Sequence, residues 1–264
     1  MKDRFIGGFF VGLTTLIIFL AGGVVTAVLL AAISLAAMYE FMDVYSLEKS
    51  PFAVLNYLGT AGIYVMLYLD QSQFLFPFII LLLLVTLSIY VICFPKYKDH
   101  HAAKSYFGFI YITILLSYVF RLRALDSGML LCIFILISSW GNDIFAYFVG
   151  SAIGKHKFSP KVSPNKSVEG FIGGVVGAGL LGYLFATVFR QWIPLSGISC
   201  AIIASVGAIP AVIGDLAASA VKRDNEIKDY SHLIPGHGGM VDRIDSVLFT
   251  APITYYLVVL FNVV

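Results

Sequence analysis

Hydrophobic residues in this chain come in long unbroken blocks, and polar residues gather between the blocks. A bilayer core takes about 20 predominantly apolar residues per helix. Segments that meet this condition fall near residues 5–20, 23–39, 52–69, 74–94, 105–120, 128–150, 170–189, 196–220 and 244–264. The pattern therefore predicts nine transmembrane helices. Strands of a membrane barrel would alternate in polarity over about ten residues, and a run such as FIILLLLV does not alternate. Only Ala21, Gly22 and Gly23 separate the first two blocks, so a tight or re-entrant hairpin is expected there. Lys2 and Arg4 ahead of an apolar run also suggest a signal peptide. Against cleavage, the run continues to Tyr39 without a small-x-small site.

Composition agrees with the pattern. Hydrophobic residues make up 59% of the 264 and charged residues 12%, against about 25% charged in soluble domains; mean hydropathy is +0.93. The expected fold class is an all-α, polytopic integral membrane bundle forming one domain over residues 1–264. Residues 1–127 read mainly as scaffold and 128–264 as the half that carries chemistry. With nine spans, all of the 17 Lys and Arg except Arg121, Arg123 and Arg190 fall on one side, together with every histidine. The positive-inside rule makes that side, and the N-terminus, cytoplasmic. Cys93, Cys132 and Cys200 sit in apolar stretches without C-x-x-C spacing and read as packing residues.

Four polar features interrupt the second half. Asp143, in SSWGNDIFAY, lies within a span, where an ionised group costs about 2.5–3.5 kcal/mol at the bilayer centre. It must therefore lie near a helix end, be paired, or face a polar cavity, where it would contact a metal or a ribose. The loop SAIGKHKFSPKVSPNKSVEG supplies Lys155, Lys157, Lys161, Lys166, Ser159, Ser163 and Ser167 among turn-forming residues. Its end, with Asn165, Lys166, Ser167 and Glu169, opens a helix, a position that suits phosphate. In VIGDLAASAVKRD, Asp215, Ser219 and Lys222 share one helix face within roughly 60°. A structural ion pair with a neighbouring helix is the plainer reading of Asp215.

The fourth feature is the richest. Between Ser219 and Asp245 the chain holds four bases, five acids and two histidines. Gly236, Gly238 and Gly239 would let backbone amides approach a ligand. Asp242 and Asp245, three residues apart, open the last helix, where capping accounts for one of them. Oxygen ligands without cysteine, set among bases, suggest a hard cation such as Mg²⁺ bridging to phosphates. His237 reads as a phosphate contact or a loop-fixing donor before a metal ligand.

The run Ser219, Lys222, Arg223, Lys228, Asp229, Ser231, Pro235, Gly236, His237, Gly238, Gly239, Asp242, Arg243 and Asp245, at these spacings, resembles the signature of phosphatidate cytidylyltransferases, the CDP-diacylglycerol synthases. The resemblance extends to Asp143 with Ala146 and Tyr147, to SPNKSVEG, and to Gly214, Asp215 and Leu216. It implies transfer of the cytidylyl group of CTP to phosphatidate, giving CDP-diacylglycerol and pyrophosphate, at the cytoplasmic mouth of a membrane site. On this reading Asp215, Asp242 and Asp245 hold Mg²⁺, and Lys222, Arg223, Lys228 and Arg243 stabilise phosphate charge. Asp229 and His237 complete the catalytic set. Asp143, Ser163, Asn165, Lys166, Ser167, Glu169, Ser219, Gly236, Gly238 and Gly239 line the substrate pocket. The expected partners are CTP, phosphatidate and membrane lipid, with no nucleic acid; a homo-oligomer is compatible with the sequence. Departures lie beside the signature: Ile144 and Phe145 stand in a D-T-G-A-Y pattern, Ser167 and Val168 in K-T-W-E-G, and Ala218 replaces a common acid.

Two other classes fit some of these features. A secondary transporter of an anion would also carry intramembrane acids on glycine-broken helices, but no inverted repeat is evident. A CDP-alcohol phosphotransferase would carry a D-G-x2-A-R signature, which is missing.

Overall fold

In the computed structural model, which describes residues 2–234, 236 and 238–263, the apolar blocks are helices. These are α1 (Lys2–Ala21), α2 (Gly23–Val44), α3 (Pro51–Tyr68), α4 (Leu75–Ile92), α5 (Asp99–Arg123), α6 (Gly128–Ile153), α7 (Val168–Val188), α8 (Gly197–Asp224) and α9 (Val241–Val263). The all-α polytopic class expected from the sequence is what the described residues form. Helices α2 to α9 are long and apolar enough to cross a membrane, whereas the apolar part of α1, Gly7–Ala21, is shorter. Gly22 and Gly23 end α1 and start α2 with φ of 67° and 51°, a left-handed geometry that glycine adopts without steric cost.

By packing, the chain divides into two compact units. One comprises residues 1–120 with 229–243, the other 121–228 with 244–264. The signature segment 229–243 thus groups with the N-terminal helices. In the first unit, Met38, Phe41, Phe52, Ile63, Phe109 and Ile112 are fully buried. Polar side chains tie its helices together: Thr60 to Thr113 at 2.7 Å, Ser34 to Tyr64 at 2.8 Å, and Asn56 Nδ2 donating to Ser105. Such bonds suit helices that have no hydrophobic drive to associate within lipid. Helix α4 fully buries only Leu82 and Thr86, and leaves Phe76, Ile80, Leu81, Leu84, Leu87, Val91 and Ile92 exposed.

The second unit is built around the glycines of α7. An added Cβ at Gly173, Gly174 or Gly177 would strike Val149, Asn142 or Phe145 of α6; at Gly179 or Gly182 it would strike Ser205 or Ala204 of α8. Small residues let backbones approach closely, so α7 draws α6 to one side and α8 to the other. Between α6 and α7 lies a feature unanticipated in the sequence, an antiparallel hairpin of β1 (Lys157–Ser159) and β2 (Ser163–Ser167), with Lys157 opposite Ser167. Helices α5 and α6 each contain a π-helical turn, Phe109–Ile114 and Ile137–Gly141.

Candidate active site

Helix α6 is continuous in sequence but not in winding. Its π turn ends at Gly141, immediately before Asn142, and such turns recur at functional sites because they re-aim the residues that follow. Asn142 is fully buried, and its Oδ1 has no hydrogen-bond partner among the described residues; Asp143 is exposed and lines a cavity of about 490 Å³. Strand β2 forms another wall with Ser163, Asn165, Lys166 and Ser167. Phe158 and Phe171, stacked at 5.1 Å, and Tyr147 give the cavity an apolar side. The cavity therefore offers hydroxyl, amide, ammonium and carboxylate groups beside aromatic rings, a lining suited to an amphipathic substrate.

Lys166 forms an ion pair with Asp215 of α8, and the two side chains are 27% and 32% exposed. Asp143 interacts electrostatically with both. Two acids thus flank one base. This cluster unites three residues that the sequence separated into different features, and Asp215 is paired, though with a residue of strand β2 and not of a neighbouring helix. Ser167 caps α7 by accepting the Gly170 amide at 3.1 Å. Glu169 turns back to its own loop: its carboxylate accepts the amides of Lys155 at 3.1 Å and His156 at 3.2 Å and lies 2.6 Å from His156 Nδ1. Its place is in fastening the hairpin rather than in lining the cavity.

Farther along α8, Ser219 and Lys222 are half-buried, while Arg223 in the last turn and Lys228 beyond it are exposed. Gly214 brings α9 close, since an added Cβ would stand 2.5 Å from the Asp245 carbonyl oxygen. Asp245 is half-buried, and its Oδ1 accepts the Ser246 amide at 2.7 Å.

In the first unit, the segment that leads into α9 is folded around two carboxylates. Asp242 Oδ2 accepts the amides of Tyr230 and Gly239, each at 3.0 Å. Glu40 of α2 accepts Ser231 Oγ at 2.5 Å, Met240 N at 2.8 Å and Val241 N at 2.9 Å. Gly236 and Gly238 have φ of 71° and 82°. The close approach that Gly239 permits is to Glu40, whose Oε2 would be 2.6 Å from an added Cβ. Its amide, expected from the sequence to face a ligand, is held by Asp242. Asp229 is half-buried near Gly238, and Arg243 has a buried Nε without a hydrogen-bond partner among the described residues. His237 lies outside the described residues.

Glu40 is the residue that sequence reasoning missed. Like Asp143, Glu40 is an ionisable group inside an apolar span, in MYEFMDV. Among the described residues no three His, Cys, Asp or Glu side chains gather into a metal-holding group. The donors around Lys166 are carboxylates, a hard set that fits Mg²⁺, which commonly takes one or two protein carboxylates and shares the rest of its shell with water and substrate phosphates.

Comparison with known proteins bears on the whole chain. The model of the cytidylyltransferase family matches residues 2–261. The phosphatidate cytidylyltransferase of Bacillus subtilis is 30% identical over 99% of both chains. That of Haemophilus influenzae is 34% identical over 87% of this chain and 88% of its own, and that of Brucella abortus 32% over 97% and 92%. With a match that runs through scaffold helices and signature alike, the chain belongs to the cytidylyltransferase family.

Proposed function

We propose that this integral membrane protein transfers the cytidylyl group of CTP to phosphatidate, releasing pyrophosphate and leaving CDP-diacylglycerol in the bilayer, with Mg²⁺ as cofactor and the site open to the cytoplasm. The observation that carries the reading is the cavity that Asp143 and Lys166 line beside aromatic rings, with Asp215 of α8 paired to Lys166. The charge asymmetry of the loops supports the cytoplasmic orientation.

The chemistry needs little from a general base. A phosphate monoester has a second pKa near 6, so the phosphatidate headgroup is already largely dianionic at neutral pH. One of its oxygens attacks the α-phosphorus of CTP in line, the bond from that phosphorus to the bridging oxygen breaks, and pyrophosphate leaves with the electron pair. Catalysis is then alignment and charge stabilisation. Lys166 serves the nucleotide phosphates, and Lys222, Arg223, Lys228 and Arg243 serve the lipid phosphate and the departing pyrophosphate. Asp143 and Asp215 would offer oxygen donors to the cation, and the resemblance implies Asp242 and Asp245 as further donors. When bound, Mg²⁺ supplies Lewis-acid neutralisation of the phosphate oxygens. Ser163, Asn165 and Ser167 orient the substrate through hydrogen bonds, and the aromatic side of the cavity keeps water from the reacting phosphorus.

Purified protein given labelled CTP, phosphatidate and Mg²⁺ should release pyrophosphate and CDP-lipid in equal amounts, and chelation of the metal should stop both. Absence of product with lipid and metal present would remove this assignment. Anion flux in proteoliposomes without nucleotide turnover would favour a transporter instead.

A further inference from the structure

Glu40 stands where its own helix disfavours it. It lies near the C-terminus of α2, the negative end of that helix dipole, and is only 3% exposed. A buried carboxylate in an apolar span persists when donors compensate it, and every described partner of Glu40 comes from one segment. Ser231 Oγ and Met240 N donate to Oε1, and Val241 N to Oε2. All three are donors, a set that a carboxylate satisfies and a carboxamide does not. Glu40 thereby ties the start of the segment to its end, from 191 residues away in the case of Ser231. Gly239 is shaped to this contact, because a Cβ there would also come within 2.9 Å of Ser231 N.

We propose that Glu40 is the positioning residue of the signature loop. It fixes the loop that holds Asp229, Asp242 and Arg243, and with it the first turn of α9. Glu40 itself touches no substrate. The inference rests on the cytidylyltransferase reading above, and the test separates the two.

The full chain in detergent is compared as wild type, Glu40→Gln and Ser231→Ala, with kcat, KM for phosphatidate and amide exchange as readouts. Each hydrogen bond to the charged group is worth roughly a ten- to hundredfold change in an equilibrium. Glu40→Gln should therefore speed exchange at Gly239–Val241 at least tenfold and lower kcat by about ten- to a hundredfold. KM and exchange in α3 and α5 should change little. Ser231→Ala should move the same readouts in the same direction by less. Wild-type kcat and slow loop exchange in Glu40→Gln would overturn the proposal. So would loss of activity in both variants accompanied by general loss of protection in α3 and α5, which would make Glu40 a fold anchor. An inactive wild type would remove the enzymatic reading instead, and loop exchange unchanged by Glu40→Gln would then overturn the anchoring on its own.

Discussion

Gly173→Ala and Gly12→Ala are the same chemical change in two membrane helices, and the structure assigns them opposite outcomes. At Gly12 an added Cβ meets nothing within 4 Å, so only intrinsic propensity acts, a gain of about 1 kcal/mol for alanine over glycine. At Gly173 the Cβ would lie 2.5 Å from Val149 Cγ2, 2.6 Å from Cβ and 2.7 Å from Cγ1. Carbon atoms rest about 3.5–4.0 Å apart, so roughly 1 Å must be found. Rotation of Val149 does not supply it, because a β-branched side chain is stiff at χ1 and its Cβ is itself in the way. Helices α6 and α7 must part. Overpacking of this kind costs about 1–3 kcal/mol, which outweighs the propensity gain. Helix α6 carries Asp143, and α7 continues directly from the strand that carries Lys166. A shift of about 1 Å between them should cost about a hundredfold in rate. Thermal unfolding in one detergent, paired with CDP-diacylglycerol formation, reads both effects. Gly12→Ala should match or exceed wild-type Tm with full activity, whereas Gly173→Ala should lose both. A Gly173→Ala protein with wild-type Tm and turnover would refute the packing argument, as would equal damage from Gly12→Ala.

Three other outcomes are expected. Lys166→Met should cut turnover at least tenfold, and a stability double-mutant cycle with Asp215→Asn should give a coupling of about 1–2 kcal/mol, between the values for surface and buried pairs because each side chain is about a third exposed; effects that add to within about 0.5 kcal/mol would deny the pair. Glu169→Ala releases the amides of Lys155 and His156 that lead into the hairpin and should raise KM for CTP several-fold with less change in kcat. Initial rates that show an unchanged KM would return Glu169 to a purely local role. Asp245→Asn should abolish turnover with the melting transition intact, and wild-type activity in that variant would remove Asp245 from the site.

The spans were legible because hydrophobicity alone dictates them, and the break between α1 and α2 was legible because two glycines mark it. The β1–β2 hairpin was hidden: strands of three and five residues among Pro, Ser and Lys carry no alternation long enough to read. The π turn before Asn142 was hidden as well, since one extra residue in a helical turn leaves the apolar run unbroken. Site residues separated by sequence features stayed separate on paper. Lys166, Asp143 and Asp215 belong to a strand and two helices, and only the glycine face of α7 brings them together. Glu40 illustrates the other limit, because its exceptional character was visible in the sequence while its partners, about two hundred residues away, were not.

The acids of this protein differ in the kind of partner they hold, and that difference bears on where a phosphate can bind. Glu40 and the Oδ2 of Asp242 accept hydrogen bonds from backbone amides, donors that cannot turn away without unwinding the loop or the first turn of α9. The amides of Gly239, Met240 and Val241 are therefore not an anion nest waiting for a ligand, although a glycine-rich helix start invites that reading. Asp215 instead holds the end of the side chain of Lys166, a residue that lines the cavity. An ammonium has three donors and a flexible stem, so Lys166 can give a proton donor to an arriving phosphate oxygen without any backbone rearrangement. Charge on the substrate is thus met by side-chain bases that exchange partners, while the signature glycines and their two carboxylates keep the loop's shape. Replacing Gly239 by alanine should accordingly fail through the loop's geometry even if every basic residue is retained, and a Gly239→Ala protein with unaltered loop exchange and turnover would refute the close approach of Gly239 to Glu40 as what sets the loop's shape.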